Sequence, residues 1–145
     1  MWRRGDYEIS TDPARLDLDL IHRYLSEEAY WSPGVPRDVV ERSLANSLCF
    51  GMYAPDGAQA GFARAVTDRA TFAYLADVFV LPAHRGRGLG VWLVETVLAH
   101  PDLQGLRRIE LATVDAHGLY ERFGFRPASY VERFMALERS SAELY

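Results

Sequence analysis

The stretch Tyr74–His100, YLADVFVLPAHRGRGLGVWLVETVLAH, constrains the chain most. Tyr74 to Val80 is apolar, β-branched and aromatic, interrupted only by Asp77, which predicts a strand. Pro82 lacks the N–H that a ladder needs and ends it. From Leu89 to Ala99, the residues Leu89, Trp92, Leu93 and Val97 recur at helical spacing. Between strand and helix lies His84-Arg85-Gly86-Arg87-Gly88-Leu89-Gly90. Stability alone does not favour this junction. Glycine costs roughly 0.5–1 kcal/mol against alanine in a helix. Arg85 and Arg87 stand at a helix N-terminus, where the macrodipole disfavours cations. A bound polyanion removes both objections, because free N–H groups, permissive backbone and two cations make a phosphate cradle. The other reading is a solvated loop whose glycines serve turn geometry.

A chain of 145 residues fits one domain, expected to span 1–145, and can bury roughly 70% of its extended-chain surface without staples. A net charge of −4 argues against a general nucleic-acid partner but leaves room for a local basic pocket. Cys49 is the one cysteine, so neither an internal disulfide nor a multi-cysteine metal site is expected, and a reducing cytoplasm is the natural setting. Its neighbours Leu48 and Phe50 suit a small core residue. The opening MWRRGDYEIS has no apolar core of leader length. No window approaches the ~18 apolar residues of a membrane span, so no membrane partner is expected.

Taken in order, Tyr7 to Thr11 predicts a short strand, and Asp12-Pro13 caps a helix running to about Glu28, with Leu16, Leu20, Ile21 and Tyr24 as its apolar stripe. Tyr30-Trp31-Ser32-Pro33-Gly34-Val35-Pro36 is a loop, and Pro36 opens a second helix with Val39, Val40 and Leu44 inward. Leu48–Ala54 and Gln59–Thr67 pair as a hairpin around Pro55-Asp56-Gly57, and Asp68-Arg69 turns into the strand at Thr71–Val80. After the long helix, Leu106–Thr113 predicts a strand, so the strand–helix–strand unit implies a parallel pair with a right-handed crossover. A short helix spans about Ala116 to Phe123 and stops at Gly124. Tyr130–Leu137 alternates like a last strand, and Glu138–Tyr145 is a polar tail. The fold class is therefore α/β, an α+β mixed sheet made of an antiparallel meander and one parallel crossover, with helices on both faces. A crevice is expected where the meander's last strand and the crossover's second strand part.

Three phosphate-binding patterns compete at the glycine turn. A P-loop requires Gly-Lys-Ser/Thr, which Gly88-Leu89-Gly90-Val91 does not offer. The dinucleotide fingerprint finds Gly88, Gly90 and, about twenty residues on, Glu110, but its third glycine falls on Leu93. Arg85-Gly86-Arg87-Gly88-Leu89-Gly90 fits Arg/Gln-x-x-Gly-x-Gly/Ala, which resembles the acyl-coenzyme-A motif of the GNAT N-acetyltransferase superfamily. Leu119-Tyr120-Glu121-Arg122-Phe123-Gly124-Phe125 resembles the same family's second signature, in the right order with the right strand between.

The resemblance implies a GNAT fold and an acetyl-CoA-dependent N-acetyltransferase acting on a small-molecule or protein amine. A catalytically silent acyl-CoA-binding sensor is the alternative. It implies that Arg85, Gly86, Arg87, Gly88, Leu89 and Gly90 hold the pyrophosphate, and that Phe79, Val80 and Leu81 pair with the pantetheine arm. It makes Tyr120 the general acid for the departing thiolate; a packing tyrosine is the plainer reading. The segment Leu75–Val80 resembles the strand of polyamine-type members, in which a glutamate implicated as base stands where this chain has Ala76. Asp77 therefore keeps three readings: base, orienter of the amine through water, or structural residue. His117, a turn before Tyr120, either lines the cleft or caps the helix at the surface. Tyr30 and Trp31 form an aromatic wall for substrate or close the core. Dimerisation is common in the family, although nothing in the sequence marks an interface.

Overall fold

The computed structural model describes residues 1–145. Six strands make one sheet in sequence order: β1 (Trp2–Arg4), β2 (Tyr7–Ser10), β3 (Leu48–Tyr53), β4 (Gln59–Thr67), β5 (Phe72–Val80) and β6 (Arg108–Glu110). Neighbours are antiparallel from β1 to β5, and β5 and β6 are parallel. The meander and the crossover are both as the sequence predicts. The β1 strand is an addition: a tight turn at Gly5, with φ of +58°, folds Trp2–Arg4 back onto β2.

Alternation along the strands splits the core in two. On one face, α3 (Leu89–Ala99) buries Leu89, Trp92, Leu93, Val94 and Val97. They pack on Ile9, Phe50, Met52, Ala63, Ala65, Ala73 and Leu75. The small side chains of Ala63, Ala65 and Ala73 let this helix sit close to the sheet. On the other face, α1 (Leu18–Arg23) and α2 (Arg37–Ala45) bring Ile21 and Val40 onto Cys49, Phe62 and Phe79. Burial pushes the Cys49 thiol up to about 11, which leaves it an inert core group.

Three expectations need correction. The helix foreseen from Asp12 to Glu28 is broken. Asp12 caps only a 3-10 turn, Pro13–Arg15, and Asp17 caps α1 by accepting from the Leu20 amide. The Asp17 amide in turn donates to Gln59 Oε1 at 2.8 Å, so a second cap restarts the chain instead of continuing it. The helix then widens into a π turn, Tyr24–Glu28. The strand foreseen over Leu106–Thr113 shrinks to Arg108–Glu110 because Leu111–Asp115 leaves β5 to border a cleft. The strand foreseen over Tyr130–Leu137 does not form: Val131–Arg133 is a 3-10 turn and the remainder is irregular. Tyr130 donates to Glu110 at 2.5 Å and lies under the Arg108 guanidinium, so side chains rather than a backbone ladder hold this segment to β6. The tail ends in a short helix, α5 (Ser141–Leu144). No helix is long and apolar enough to cross a membrane.

Candidate active site

A cleft of about 800 Å³ opens where β5 and β6 part, as the topology predicts. The two strands pair only over Phe72–Tyr74 and Arg108–Glu110. Beyond Tyr74 the edge of β5 faces the cleft, and Leu111–Ala116 forms the opposite wall.

The course of β5 is set by an extra residue. Arg64 of β4 stands opposite Ala76, but Phe62 stands opposite Phe79, so three steps on β5 match two on β4. The extra residue is Asp77, with φ of +54°. Asp is among the few non-glycine residues that tolerate this region, since a short polar side chain can bond locally. The bulge inverts the alternation: Ala73 and Leu75 face α3, whereas Phe79 faces α1 and α2.

Asp77 is nearly buried and fully bonded. Arg64 Nε donates to its Oδ2 at 2.7 Å, and Trp31 Nε1 donates to its Oδ1 at 2.8 Å. Arg64 also donates through Nη1 to Ser47 Oγ at 3.1 Å. The acid inside the apolar strand thus has the partner that its burial requires. Arg64 escaped the sequence reading, although a lone cation in Ala60-Gly61-Phe62-Ala63-Arg64-Ala65 is the counterpart of the lone acid in β5.

The glycine turn follows a 3-10 turn at Pro82–His84. Gly86 and Gly88 have φ of +80° and +76°, and no atom lies within 4 Å of where a Cβ would sit on either. No side chain caps α3. The amides from Gly86 to Val91 find no acceptor in the protein; the first helical bond is from Trp92 to the Gly88 carbonyl. Arg87 Nη1 donates to the Tyr7 hydroxyl at 3.2 Å, and that hydroxyl shares a 2.8 Å hydrogen bond with His84 Nδ1. Arg85 turns the other way, donating to the Val80 carbonyl at 2.8 Å and to the Tyr24 hydroxyl at 3.2 Å. Its charge lies at the end of β5, inside the cleft. Phe79 and Val80 line the cleft. Leu81 does not: its amide donates to the Ala60 carbonyl and its side chain packs with the α1–α2 cluster.

Tyr120 stands on α4 (His117–Glu121), buried to 8% exposure, with Phe125 edge-on at 5.8 Å. Its hydroxyl has no partner in the protein, and the residue lines both this cleft and a second cavity behind it. Burial raises its pKa, and the neighbouring Tyr30 and Asp115 add to the shift, so the phenol is protonated at neutral pH. His117 is not in this cleft; it lines a second cavity of about 480 Å³ beside Glu110, Tyr130 and Phe134.

Tyr30 and Trp31 meet edge to face at 5.0 Å and arch over the cleft rather than closing the core. Trp31 is tied to Asp77 on one bank, and the Val114 amide donates to the Tyr30 hydroxyl at 3.3 Å on the other. Tyr24, stacked on Phe79 at 3.9 Å, and Tyr74 add two more rings to the lining. Sequence reasoning placed Tyr24 only in an apolar stripe; in the fold it opens the π turn and lines the cleft. No group of three or more His, Cys, Asp or Glu side chains is placed to hold a metal ion.

Comparison with known proteins gives a consistent result. The family described as acetyltransferase (GNAT) matches residues 18–125. A relative from Gibberella zeae, named as a candidate acetyltransferase, is 38% identical over 140 residues, covering 82% of this chain and 78% of its own. A crystal structure from Xanthomonas campestris pv. campestris, described as a GNAT-family candidate acetyltransferase, superposes with a TM-score of 0.90 at 52% identity, covering 93% of this chain and 94% of that one. A Clostridium acetobutylicum acetyltransferase structure described as containing acetyl-CoA shares the fold, with a TM-score of 0.64 at 16% identity over 91% of this chain and 94% of its own.

Proposed function

This chain belongs to the acetyltransferase (GNAT) family, and we propose that it moves an acetyl group from acetyl-CoA to an amine by direct transfer within one ternary complex. The observation that carries the proposal is Tyr120, a buried, protonated phenol that lines the cleft bordered by the open edge of β5 and whose hydroxyl has no partner in the protein.

The residues present suit the coenzyme. The unpaired amides from Gly86 to Val91, at the positive end of α3, suit a pyrophosphate, and Arg87 adds a cation beside them. The β5 edge from Val78 to Phe79 offers main-chain groups to an extended amide arm. Arg85 braces the end of that edge through the Val80 carbonyl. When bound, acetyl-CoA supplies an acyl thioester open to attack by an amine. Tyr120 is the proton donor for the departing thiolate. Asp77 acts as a positioning residue. Both its oxygens are committed to Arg64 and Trp31, so it holds the aromatic arch over the acceptor side.

Removing the phenol tests this directly. Tyr120→Phe should lower kcat by about 10²–10⁴-fold, the range of a lost general acid, while calorimetric affinity for coenzyme A is unchanged. A variant as fast as the parent in thiol release would overturn the role. A silent acyl-CoA-binding module would bind the coenzyme and release no thiol with any amine. The pH profile carries the same information. An acid must be protonated to act, and the Tyr120 pKa is raised. Activity should hold through neutral and mildly alkaline pH and fall only above the ordinary tyrosine range of about 10.

A further inference from the structure

The glycine turn has an anchor outside its own motif. Arg87 is exposed and stands between Gly86 and Gly88, whose φ angles are +80° and +76°. Backbone this permissive does not aim a side chain, and a free arginine has many rotamers to lose when it is fixed. What holds Arg87 is the Tyr7 hydroxyl, its one side-chain partner in the fold, 3.2 Å from Nη1. Tyr7 lies on β2, 80 residues earlier in the chain. Its ring packs against the core cluster that α3 buries and meets the His84 ring edge-on at 5.8 Å. The same hydroxyl lies 2.8 Å from His84 Nδ1. A guanidinium only donates, so the hydroxyl oxygen accepts from Arg87 and its own proton is free for His84 Nδ1. That second bond fixes the rotation of the hydroxyl and turns a lone pair toward Arg87. His84 closes the 3-10 turn that precedes the glycines, so one oxygen ties both flanks of Gly86 to β2.

We infer that Tyr7 is a positioning residue for the coenzyme: it acts through Arg87, holding the guanidinium beside the unpaired amides of the turn, with His84 orienting the hydroxyl. The chemistry of the anchor suits this role. A phenol is neutral and leaves the Arg87 charge uncompensated, whereas a carboxylate in its place would cancel that charge against an incoming phosphate. The nearby carboxylates are spent elsewhere, Glu8 on Arg3 and Arg15 and Glu95 on Arg4. A cation already ordered loses less freedom when the anion arrives, so the bond contributes to affinity without touching the ligand. Arg85 does not share this anchor, since its partners are the Val80 carbonyl and the Tyr24 hydroxyl.

The inference rests on the coenzyme reading, and a double-variant cycle read by calorimetry with coenzyme A separates the two. Tyr7→Phe keeps the ring and removes only the hydroxyl. It should weaken coenzyme A binding about tenfold. Arg87→Ala should weaken it at least as much. Placed on Arg87→Ala, Tyr7→Phe should add less than about a factor of two, because the hydroxyl then has no guanidinium to aim. A merely structural hydroxyl would cost the same factor in both backgrounds. With any amine that the parent acetylates, Tyr7→Phe should raise KM for acetyl-CoA about tenfold and change kcat by less than about twofold. His84→Phe keeps a ring and removes the acceptor; it should weaken coenzyme A binding about threefold, and it decides the matter if Tyr7→Phe fails to fold. Parental or tighter affinity in the folded variants, or an equal loss with and without Arg87, overturns the role of Tyr7 and leaves the coenzyme reading standing. A parent that binds no coenzyme A overturns both.

Discussion

The glycine turn and the Asp77 bulge use the same unusual backbone for opposite ends. Both enter the left-handed region, at Gly86 and Gly88 in one and at Asp77 in the other. In the turn the conformation leaves a run of amides without protein acceptors. In the bulge it delivers a carboxylate to two donors that use both of its oxygens. A buried polar group must find a partner somewhere. The bulge finds its partners inside the fold and so shapes the cleft. The turn is exposed, and its amides stay open to solvent or to a ligand. On the proposed function, unpaired polarity marks the binding element, and saturated polarity marks the scaffold.

That contrast can be broken from either side. Arg64→Ala should have the largest effect, about 3–5 kcal/mol lost in denaturant unfolding, because it strands the Asp77 charge in a nearly buried site. Arg64→Ala with Asp77→Gly should lose less than the sum of the two single changes, since removing both partners leaves no orphan charge. Additive losses would mean that the pair is not the organising contact. Gly88→Asp should leave the melting curve within about 1–2 kcal/mol of the parent, the cost of a left-handed non-glycine residue. The same change should weaken coenzyme A binding about a hundredfold or more by setting a negative charge at the anion cradle. A folded variant with parental affinity would show that the turn is scaffold after all. Trp31→Phe keeps an aromatic ring but loses the indole N–H that bonds Asp77, together with part of the ring's area. It should cost about 1 kcal/mol in stability and raise KM for the acceptor more than KM for the coenzyme, since the arch covers the acceptor side.

The two elements also differ in how plainly the sequence announces them. The turn is spelled out by neighbours in the chain: a strand, a proline, glycines flanked by arginines, then a helix. Each is a local property, and the structure follows them nearly residue for residue from Phe72 to Ala99. The bulge depends on partners 13 and 46 residues away, Arg64 and Trp31. Asp77 stood out as an acid in an apolar strand, but nothing local named its partners or its added step in the register. The same limit explains the last strand. Tyr130–Leu137 alternates, yet alternation describes only which side chains would share a face. Whether a ladder forms depends on a neighbouring strand, and beside β6 it is the Tyr130 ring, not the backbone, that makes the contact. His117 shares a helix with Tyr120, but it opens onto the second cavity.

By itself the sequence determined the mixed sheet, the crossover, the glycine-rich turn before α3 and the tyrosine on the short helix. Hydrophobic period, turn chemistry and glycine backbone freedom act over a few residues and are therefore written locally. Only the tertiary structure decided that Asp77 is paired and that Tyr30 and Trp31 arch over the cleft. Those features are sums over residues brought together from distant segments, and the sum does not exist until the chain has folded.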